Sequence, residues 1–451
     1  MKRIYAVSTR LEPSDELKKY LNDYFMFYNS VQRRVFYDFL HDIPGEMGMS
    51  RYISYICSSY NILKRTANSI RYNMQGRIKA FQELKKTELA QLDVKINTVQ
   101  KKVDKLASNV GRMKSLAAMN LLDKADLSKF RALKASLYHQ KNKLNKLRQK
   151  MDVLTRQIKD KKVSLCFGTK KLLDAQNRLC ENGFRSHTGW LHTFRKRRDS
   201  GIFFLGSGDE SYGNQILQLK PDGHIFSMKL RLDRPYEADG KYLTADICFP
   251  YMARELAHAL SNNCPVSYRI TRKGRKWYLT AIFSMETDVC TNKLSGIIGI
   301  DYNNGFMEAA ETDRSGNLIH AQHISLKFHG TGKKAESEMK EKLSRLVRYA
   351  ASVRKDIAVE DLDFRKKKAS QRKGENKRYN KMLHLFDYHR YLFWLENLCA
   401  KYGVNLVKVN PAYTSKIGKE KYSKARKLTV HRAAAFVIAR KGQGFVDLLT
   451  A

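Results

Sequence analysis

The sequence has no proline between Pro44 and Pro221, and this gap constrains the fold more than any other feature. Proline inside a helix removes a hydrogen bond and clashes with the preceding turn, so a long stretch without it is typical of helical structure. The first helix is expected after Pro13, with Ser14 as its N-cap and acidic residues in its first turn. The sequence therefore predicts a long helical region that begins near the N-terminus.

Residues 79–162 carry two runs of apolar residues spaced alternately three and four apart. The runs are Ile96, Val99, Val103, Leu106 and Val110, and then Leu144, Leu147, Met151, Leu154 and Ile158. Heptad spacing places such residues along one stripe of a helix, which packs against a second stripe. Because a softer stretch near Gly111–Asp126 separates the runs, we expect a long, antiparallel, coiled-coil-like hairpin. Its lysine-rich outer faces are compatible both with solvation and with contacts to phosphates.

Beyond about residue 200 the pattern changes to that of strands. The segments concerned are 202–207, 214–220, 224–232 and 266–285. They predict a small antiparallel sheet or barrel, and the opening segment 2–10 is also strand-like. If that segment joins the sheet, residues 11–199 form a helical insertion into a β-domain made of residues 1–10 and 200–292.

From residue 293 onward strands and helices alternate. Three consecutive strands are followed by a helix, a strand, a helix, a strand and a final helix. This order is expected of an α/β domain with an RNase H-like fold over residues 293–451. The fold class predicted for the chain is therefore α/β, with additional all-β and all-α parts.

Two carboxylates follow buried strands in that domain. Asp301 comes directly after the apolar run IIGI, and Glu360 comes directly after IAV. An acid at the end of a buried strand is costly unless it is paired or bound to a metal. The first and fourth strands of an RNase H-like sheet are neighbours, so we expect the two acids to meet and to bind Mg²⁺ through hard oxygen ligands. Exposed acids in loops are the alternative.

The charge of the chain points to a polyanionic partner. It has 85 Lys and Arg against 44 Asp and Glu, a formal net charge of +41, which favours nucleic acid. A basic segment, 365–381, follows Glu360 closely and holds nine Lys or Arg in seventeen residues. Its predicted nucleic-acid-binding residues are Arg365, Lys366, Lys367, Lys368, Arg372, Lys373, Lys377 and Arg378. A solvated loop is the alternative interpretation of such a charge run.

Several classes of protein are disfavoured. The chain has no apolar run of about 18 residues, so no membrane-spanning helix is expected. Its seven cysteines include no CxxC pair, which argues against a disulfide framework and a cysteine-type zinc site. We expect an intracellular, cytoplasmic protein that associates with the nucleoid when it is on DNA.

The last predicted helix carries a histidine near its start, in the stretch KLTVHRAAAFVIARKGQGF of residues 427–445. His431 shares a face with Ala434, Ala435 and Ile438, and these small residues suit close packing against a sheet. A lone histidine on an apolar face is usually part of a core. From the residues alone, packing and metal ligation both remain open for His431.

These motifs resemble those of the TnpB family, transposon-encoded nucleases related to type V CRISPR effectors. GIDYNNG is similar to the family's first RuvC motif, with Asp301 as its acid, and AVEDLDF to the second, with Glu360. VNPAYTSKIG at 409–418 resembles the segment after the last core strand. LCFGTKKLLDAQ at 165–176 and GNQ at 213–215 are also similar.

The resemblance implies an RNA-guided DNA endonuclease with one RuvC-like site and two Mg²⁺ or Mn²⁺ ions. It implies a wedge-type β-barrel at 1–10 and 200–292, a helical recognition lobe at 11–199 and a RuvC-like nuclease domain at 293–451. The implied partners are a structured guide RNA from the transposon end and double-stranded target DNA with a short adjacent motif. In such systems guide pairing reads the sequence.

The chain departs from the family in two places. Many relatives have a four-cysteine zinc finger after the YTS segment, but no cysteine lies between Lys416 and Val430 here, so no structural zinc is expected. The family's last helix carries an Asp, and alignment of the alanines places His431, or Val430, at that position. Because RuvC-type resolvases can use a histidine there, the resemblance implies His431 as third metal ligand. Asp447 is expected to lie out of reach.

The departures keep other functions open. A nuclease-dead, RNA-guided DNA-binding protein is the main alternative, because the third carboxylate is missing. A DDE-like transposase that acts without RNA is the third hypothesis.

Overall fold

The computed structural model describes residues 2–119, 121, 123–223, 225–237, 240–303, 305–326, 332–362 and 388–447. The chain forms two compact units, one of residues 4–284 and one of residues 1–3 and 285–451. None of the described helices is long and apolar enough to cross a membrane.

The first unit is rich in helices. They are α1 (Asp15–Leu40), α2 (Ile43–Met47), α3 (Met49–Tyr60), α4 (Lys64–Ala118), α5 (Lys124–Lys159), α6 (Lys170–Asp174), α7 (His187–Arg198) and α8 (Ala253–Ser261). The predicted cap of α1 is present, because the backbone N–H of Leu17 donates to Ser14 Oγ at 3.2 Å.

The two longest helices, α4 and α5, pack against each other. Their shared core contains four buried residues, Ile96, Val99, Val103 and Leu144, and three partly buried ones, Leu137, Leu147 and Met151. The break between the helices is shorter than the predicted softer stretch, because Gly111 still lies inside α4. Asp123 starts α5 by accepting the backbone N–H of Asp126 at 2.6 Å.

Two sheets accompany these helices. Their strands are β1 (Lys2–Leu11), β2 (Gly201–Phe204), β3 (Leu217–Asp222), β4 (Ile225–Arg231), β5 (Tyr242–Cys248), β6 (Val266–Lys273) and β7 (Lys276–Glu286). One sheet has the order β1-β7-β6-β2 and the other β3-β4-β5. The opening strand thus joins a sheet with later strands, and the helices α1 to α7 lie between β1 and β2 in the sequence. β5 and α8 have no counterpart in the predicted elements.

The second unit is built on a five-stranded sheet. Its strands are β8 (Asn292–Asn303), β9 (Phe306–Thr312), β10 (Leu318–Ser325), β11 (Lys355–Glu360) and β12 (Leu406–Val409), in the order β10-β9-β8-β11-β12. The first three strands are antiparallel, and β11 is parallel to both β8 and β12. This strand order is that of an RNase H-like sheet. The predicted pairing of the first and fourth strands is confirmed.

The helices of this unit are α9 (Gly332–Ser352), α10 (Tyr388–Tyr402), α11 (Thr414–Ile417) and α12 (Val430–Gln443). Residues 416–430, where the sequence has no cysteine, contain helical structure. The segment contains the end of α11 and a π-helical turn, Gly418–Ser423. Gly418 lies against the backbone of Ala433 in α12, so local packing gives this segment its structure.

Candidate active site

The two faces of the five-stranded sheet pack against different helices. Ile300 and Val359 belong to the core that contains residues of α9 and α10. Ile297 and Ala358 instead pack against Ile438 and Ala439 of α12. Because side chains alternate between the faces of a strand, Asp301 and Glu360 lie on the α12 face of the sheet.

Strand register brings the two acids to the same end of the sheet. β8 and β11 are parallel neighbours, and Ile300 is the partner of Val359. Asp301 and Glu360 each come one residue later, at matching positions of the two strands. Asp301 is buried, with 9% of its surface exposed. Glu360 ends β11, whereas β8 continues for two residues beyond Asp301, to Asn303.

Helix α12 can lie directly on this face because β8 has a glycine, Gly299, at the point of contact. A Cβ atom on Gly299 would stand 2.2 Å from the carbonyl oxygen of Ala435 and 2.4 Å from the amide nitrogen of Ala439. Only a residue without a side chain permits so close an approach. The small face predicted for this helix is buried, with Ala434 and Ala435 both at most 1% exposed.

His431 reaches Asp301 from the first turn of α12. Its Nδ1 atom lies 3.1 Å from Asp301 Oδ2, so the imidazole N–H can donate to the carboxylate. Asn303 Nδ2 donates to the same oxygen at 2.8 Å. Among the described residues, no hydrogen-bond donor contacts the other carboxylate oxygen, Oδ1. The ring of Phe306 packs edge-on against the imidazole, with centroids 5.2 Å apart.

The environment of Asp301 disfavours its ionised form. Burial raises the pKa of the Asp301 carboxyl above its ordinary value, and the charge of Glu308 raises it further. The hydrogen bonds from Asn303 and His431 act in the opposite direction without cancelling the effect of burial. A cation at this position would relieve the cost of the buried charge.

Sequence reasoning missed Glu308, which is the cross-strand partner of Asp301 on β9. It is 4% exposed, and its carboxylate accepts hydrogen bonds from His323 at 2.8 Å and from Arg432 Nε at 3.3 Å. Arg432 directly follows His431, and 36% of its side chain is exposed. The signal that could have found Glu308 is an acid inside the otherwise apolar segment FMEAA.

Residues of two other elements donate hydrogen bonds to Glu360. The hydroxyl of Thr414 in α11 donates to Glu360 Oε1, and the hydroxyl of Tyr388 in α10 donates to the Glu360 backbone carbonyl. Thr414 is 2% exposed and belongs to the YTS segment noted in the sequence. The segment after the last strand therefore holds the second acid in place.

Some of the predicted site residues contact one another, and others lie outside the described residues. Asp301 and His431 are in contact, and Glu360 ends the neighbouring strand. Within the described ranges, no three His, Cys, Asp or Glu side chains are grouped closely enough to hold a metal ion. The eight predicted basic residues of 365–378 lie outside the described residues.

Asp447, which lies far from His431 along the chain, has a structural role. Its buried carboxylate accepts hydrogen bonds from Arg440 Nε at 2.8 Å, Tyr422 at 2.7 Å and Lys421 at 3.1 Å. These contacts tie the end of α12 to the π-helical turn. Asp447 is thus a structural ion-pair partner in this arrangement.

The donor set fits a hard divalent cation. Asp301 keeps one carboxylate oxygen free of hydrogen bonds from the described residues, and Glu360 offers a second carboxylate one strand away. Nδ1 of His431 is within hydrogen-bond distance of Asp301, so Nε2 is the nitrogen left for an ion. Histidines that bind a metal through one nitrogen usually donate the other N–H to a carboxylate. The described residues do not yet close a three-ligand set around an ion, so their side chains would have to move.

Replacing Gly299 by alanine should disturb this site through packing alone. The added methyl group must push α12 away from the sheet, so we expect the free energy of unfolding to fall by about 1–3 kcal/mol. The shift also separates His431 from Asp301. Urea unfolding of the purified chain measures the first effect.

Gly111→Ala provides a matched control, because nothing lies within 4 Å of a Cβ added at that position in α4. Alanine is the better helix former, so this variant should gain roughly 0.5–1 kcal/mol. Equal unfolding curves for Gly299→Ala and the parent chain would contradict the close packing of α12.

Comparison with known proteins gives structural similarity only. No protein-family model and no curated protein matches the chain. A Cas12f1–sgRNA–target DNA complex is similar with a TM-score of 0.39 and 13% identity over 97% of this chain and 98% of that one. A Cas12i–crRNA–dsDNA complex gives 0.36 and 10% over 83% and 67%. T. thermophilus RuvC bound to a Holliday junction substrate gives 0.24 and 15% over 32% and 89%.

Proposed function

We propose that this chain is an RNA-guided DNA endonuclease of the TnpB type, with one RuvC-like site formed by Asp301, Glu360 and His431. The observation that carries the proposal is the contact between Asp301 and His431 at the end of β8, beside Glu360 at the matching position of β11. The two RuvC-like motifs that surround these acids support it. So does the net charge of +41, since a nuclease must bind a polyanion.

Asp301, Glu360 and His431 would hold a pair of Mg²⁺ or Mn²⁺ ions. When bound, such ions supply a Lewis acid for the scissile phosphate and a water acidic enough to act as nucleophile. Asp301 would set the tautomer of His431 by accepting a hydrogen bond from its Nδ1–H group, and Thr414 donates a hydrogen bond that holds the carboxylate of Glu360. A cysteine-bound structural zinc has no place in this proposal.

Arg432 would add a positive charge at the same site. Its guanidinium is partly exposed, and Glu308 orients it through Nε, which leaves the terminal nitrogens available to a phosphate. The eight basic residues of 365–378 would then hold the strand by phosphate contacts beyond the site.

We assign the rest of the chain by the same resemblance. Residues 1–10 and 200–292 would form the wedge-type β-barrel, and residues 11–199 the recognition lobe with the long α4–α5 hairpin. Together with the nuclease domain, 293–451, they would bind a structured guide RNA from the transposon end. The target would be double-stranded DNA beside a short motif that the protein reads.

The test begins with the RNA that co-purifies with the full-length chain. Sequencing it identifies scaffold and guide, and a plasmid library with a matching target and randomised flanks then reports cleavage in Mg²⁺ and in Mn²⁺. We expect cleavage beside one short motif. Absence of co-purified RNA, together with RNA-independent strand joining, would instead favour a DDE-like transposase.

A nuclease-dead, RNA-guided DNA-binding protein is the second candidate. It is favoured by the missing third carboxylate, since His431 stands where the family has an Asp, and by the hydrogen bond that already engages the Glu360 carboxylate. Stable, guide-dependent binding of the target without cleavage in either metal would establish this alternative.

A further inference from the structure

Tyr413 combines an unusual backbone conformation with an exposed ring. It lies between β12 and α11 with φ 64° and ψ 5°, in the left-handed region. Bulky residues rarely adopt this conformation because Cβ approaches the backbone, and such positions concentrate at functional sites. The residue is also 64% exposed. A large ring is therefore kept at a position where a glycine or asparagine would fit the backbone better.

Hydrogen bonds hold the backbone on both sides of Tyr413. Lys441 Nζ from α12 donates to the carbonyl oxygen of Ala412 at 2.6 Å and to that of Asn410 at 3.3 Å. Asn410 Oδ1 accepts the backbone N–H of Ala412 at 2.9 Å. On the other side, the buried Thr414 bonds the Glu360 carboxylate and the carbonyl oxygen of Pro411. The loop is thus fixed to the proposed site.

The ring itself has no such attachment. No residue in the described ranges forms a hydrogen bond or an aromatic contact with the Tyr413 side chain, although its neighbour Thr414 touches Glu360. Hydrogen bonds and ring contacts within the described chain therefore give no reason for a tyrosine at this position. A ligand with a flat apolar surface would give one, and single-stranded nucleic acid offers such a surface in every base.

We propose that Tyr413 stacks on a nucleobase of the DNA strand that enters the site, and so sets which phosphodiester bond lies over Asp301 and Glu360. The inference rests on the proposed nuclease function. Stacking does not distinguish bases, so Tyr413 would fix the position of the strand without reading its sequence. The hydroxyl is not required, because the contact uses the face of the ring.

The test compares three substitutions in the RNA-loaded, full-length protein. Tyr413→Phe keeps the ring. Tyr413→Asn removes it but tolerates the left-handed backbone, and Tyr413→Gly removes it and relieves the strain. Phe393→Ala serves as control, because it removes another exposed aromatic ring, 54% exposed, from α10.

The binding readout uses single-stranded DNA with 2-aminopurine at successive positions, in Ca²⁺ so that no cutting occurs. Wild type, Tyr413→Phe and Phe393→Ala should quench the fluorescence at the same position. Tyr413→Asn and Tyr413→Gly should lose that quenching and bind the strand roughly five- to a hundredfold more weakly. Their melting temperatures should equal or exceed that of the parent chain.

Unchanged quenching and affinity in Tyr413→Asn would overturn the inference. So would a large fall in its melting temperature, which would show that the ring is structural, or an effect confined to RNA oligonucleotides. The failure of the nuclease proposal is distinguishable. In that case the parent chain does not cut in Mg²⁺ or Mn²⁺, whereas failure of the Tyr413 inference leaves cutting and its positions unchanged in Tyr413→Asn.

Discussion

Asp301→Asn should abolish target cleavage while making the metal-free protein more stable. Loss of a carboxylate ligand removes several kcal/mol of transition-state stabilisation, so we expect the cleavage rate to fall on the order of a thousandfold or more. The gain in stability follows from burial, which raises the pKa of Asp301. Plasmid cleavage and thermal unfolding in EDTA measure the two effects.

The direction of the stability effect depends on pH in a defined way. Because the folded-state pKa of Asp301 is raised, the folded chain is most favoured at low pH, where the carboxyl is protonated. Stability is lost as the pH rises from the unfolded-state pKa through the folded-state pKa. Asparagine carries no charge at any pH, so the advantage of Asp301→Asn should be present at neutral pH and absent in acid.

Asp313→Asn is a control of opposite sign in the same unit. The hydrogen bond from the backbone of Asn317 lowers the pKa of Asp313, together with that from the Asn317 side chain. Its carboxylate therefore stabilises the fold above the unfolded-state pKa, and this contribution disappears as the pH falls through the folded-state pKa. Asp313→Asn should slightly lower the melting temperature at neutral pH and leave cleavage intact.

Metal binding offers a readout that does not depend on activity. A ligand that binds only the folded chain raises its melting temperature, so Mg²⁺ or Mn²⁺ should stabilise the parent chain and not Asp301→Asn. Equal stabilisation of both proteins would show that the ions bind elsewhere. Undiminished cleavage by Asp301→Asn would refute the proposed site itself.

His431→Ala should abolish cleavage and leave RNA binding unchanged. The imidazole supplies the third ligand of the proposed site and is oriented by Asp301, so we expect a loss of at least roughly a hundredfold. RNA binding should persist, because the substitution removes one side chain from α12 and none from the proposed recognition lobe. Cleavage of the matched target and co-purification of RNA measure the two properties.

His431→Asp separates a metal ligand from a packing residue. A carboxylate beside Asp301 repels it in the absence of metal, which should lower the melting temperature in EDTA. With Mg²⁺ the repulsion is relieved, so the cleavage that is lost in His431→Ala should return in His431→Asp. His320→Ala, which removes an exposed histidine from β10, should change neither property. A cleavage rate unchanged in His431→Ala would leave His431 with a packing role.

Much of the α/β unit was predictable because its signals are local. Apolar runs that end in an acid located β8 and β11, and the small residues after His431 indicated that α12 packs closely on a sheet. The heptad spacing of Ile96, Val99 and Val103 likewise indicated that two helices pack together. Each of these features depends on periodicity within one segment, which a sequence records directly.

Other parts of the site have no local signal. Arg432 meets Glu308 across 124 residues of sequence, and Thr414 meets Glu360 across 54. In the sequence, Glu308 is a single polar residue within a strand. Only the register of β8 and β9 shows that it lies beside Asp301. Such pairs were missed because a contact between distant residues depends on register and helix placement.

The sequence by itself determined the order of elements, the two acids that follow apolar runs and the positive charge that suits a nucleic acid. Only the tertiary structure decided that His431 contacts Asp301, that Gly299 lets α12 lie on the sheet, and that Tyr413 adopts a left-handed backbone. The reason is physical. Periodicity and charge are properties of neighbouring residues, whereas hydrogen bonds, close approach and backbone strain arise only when separate segments occupy the same place.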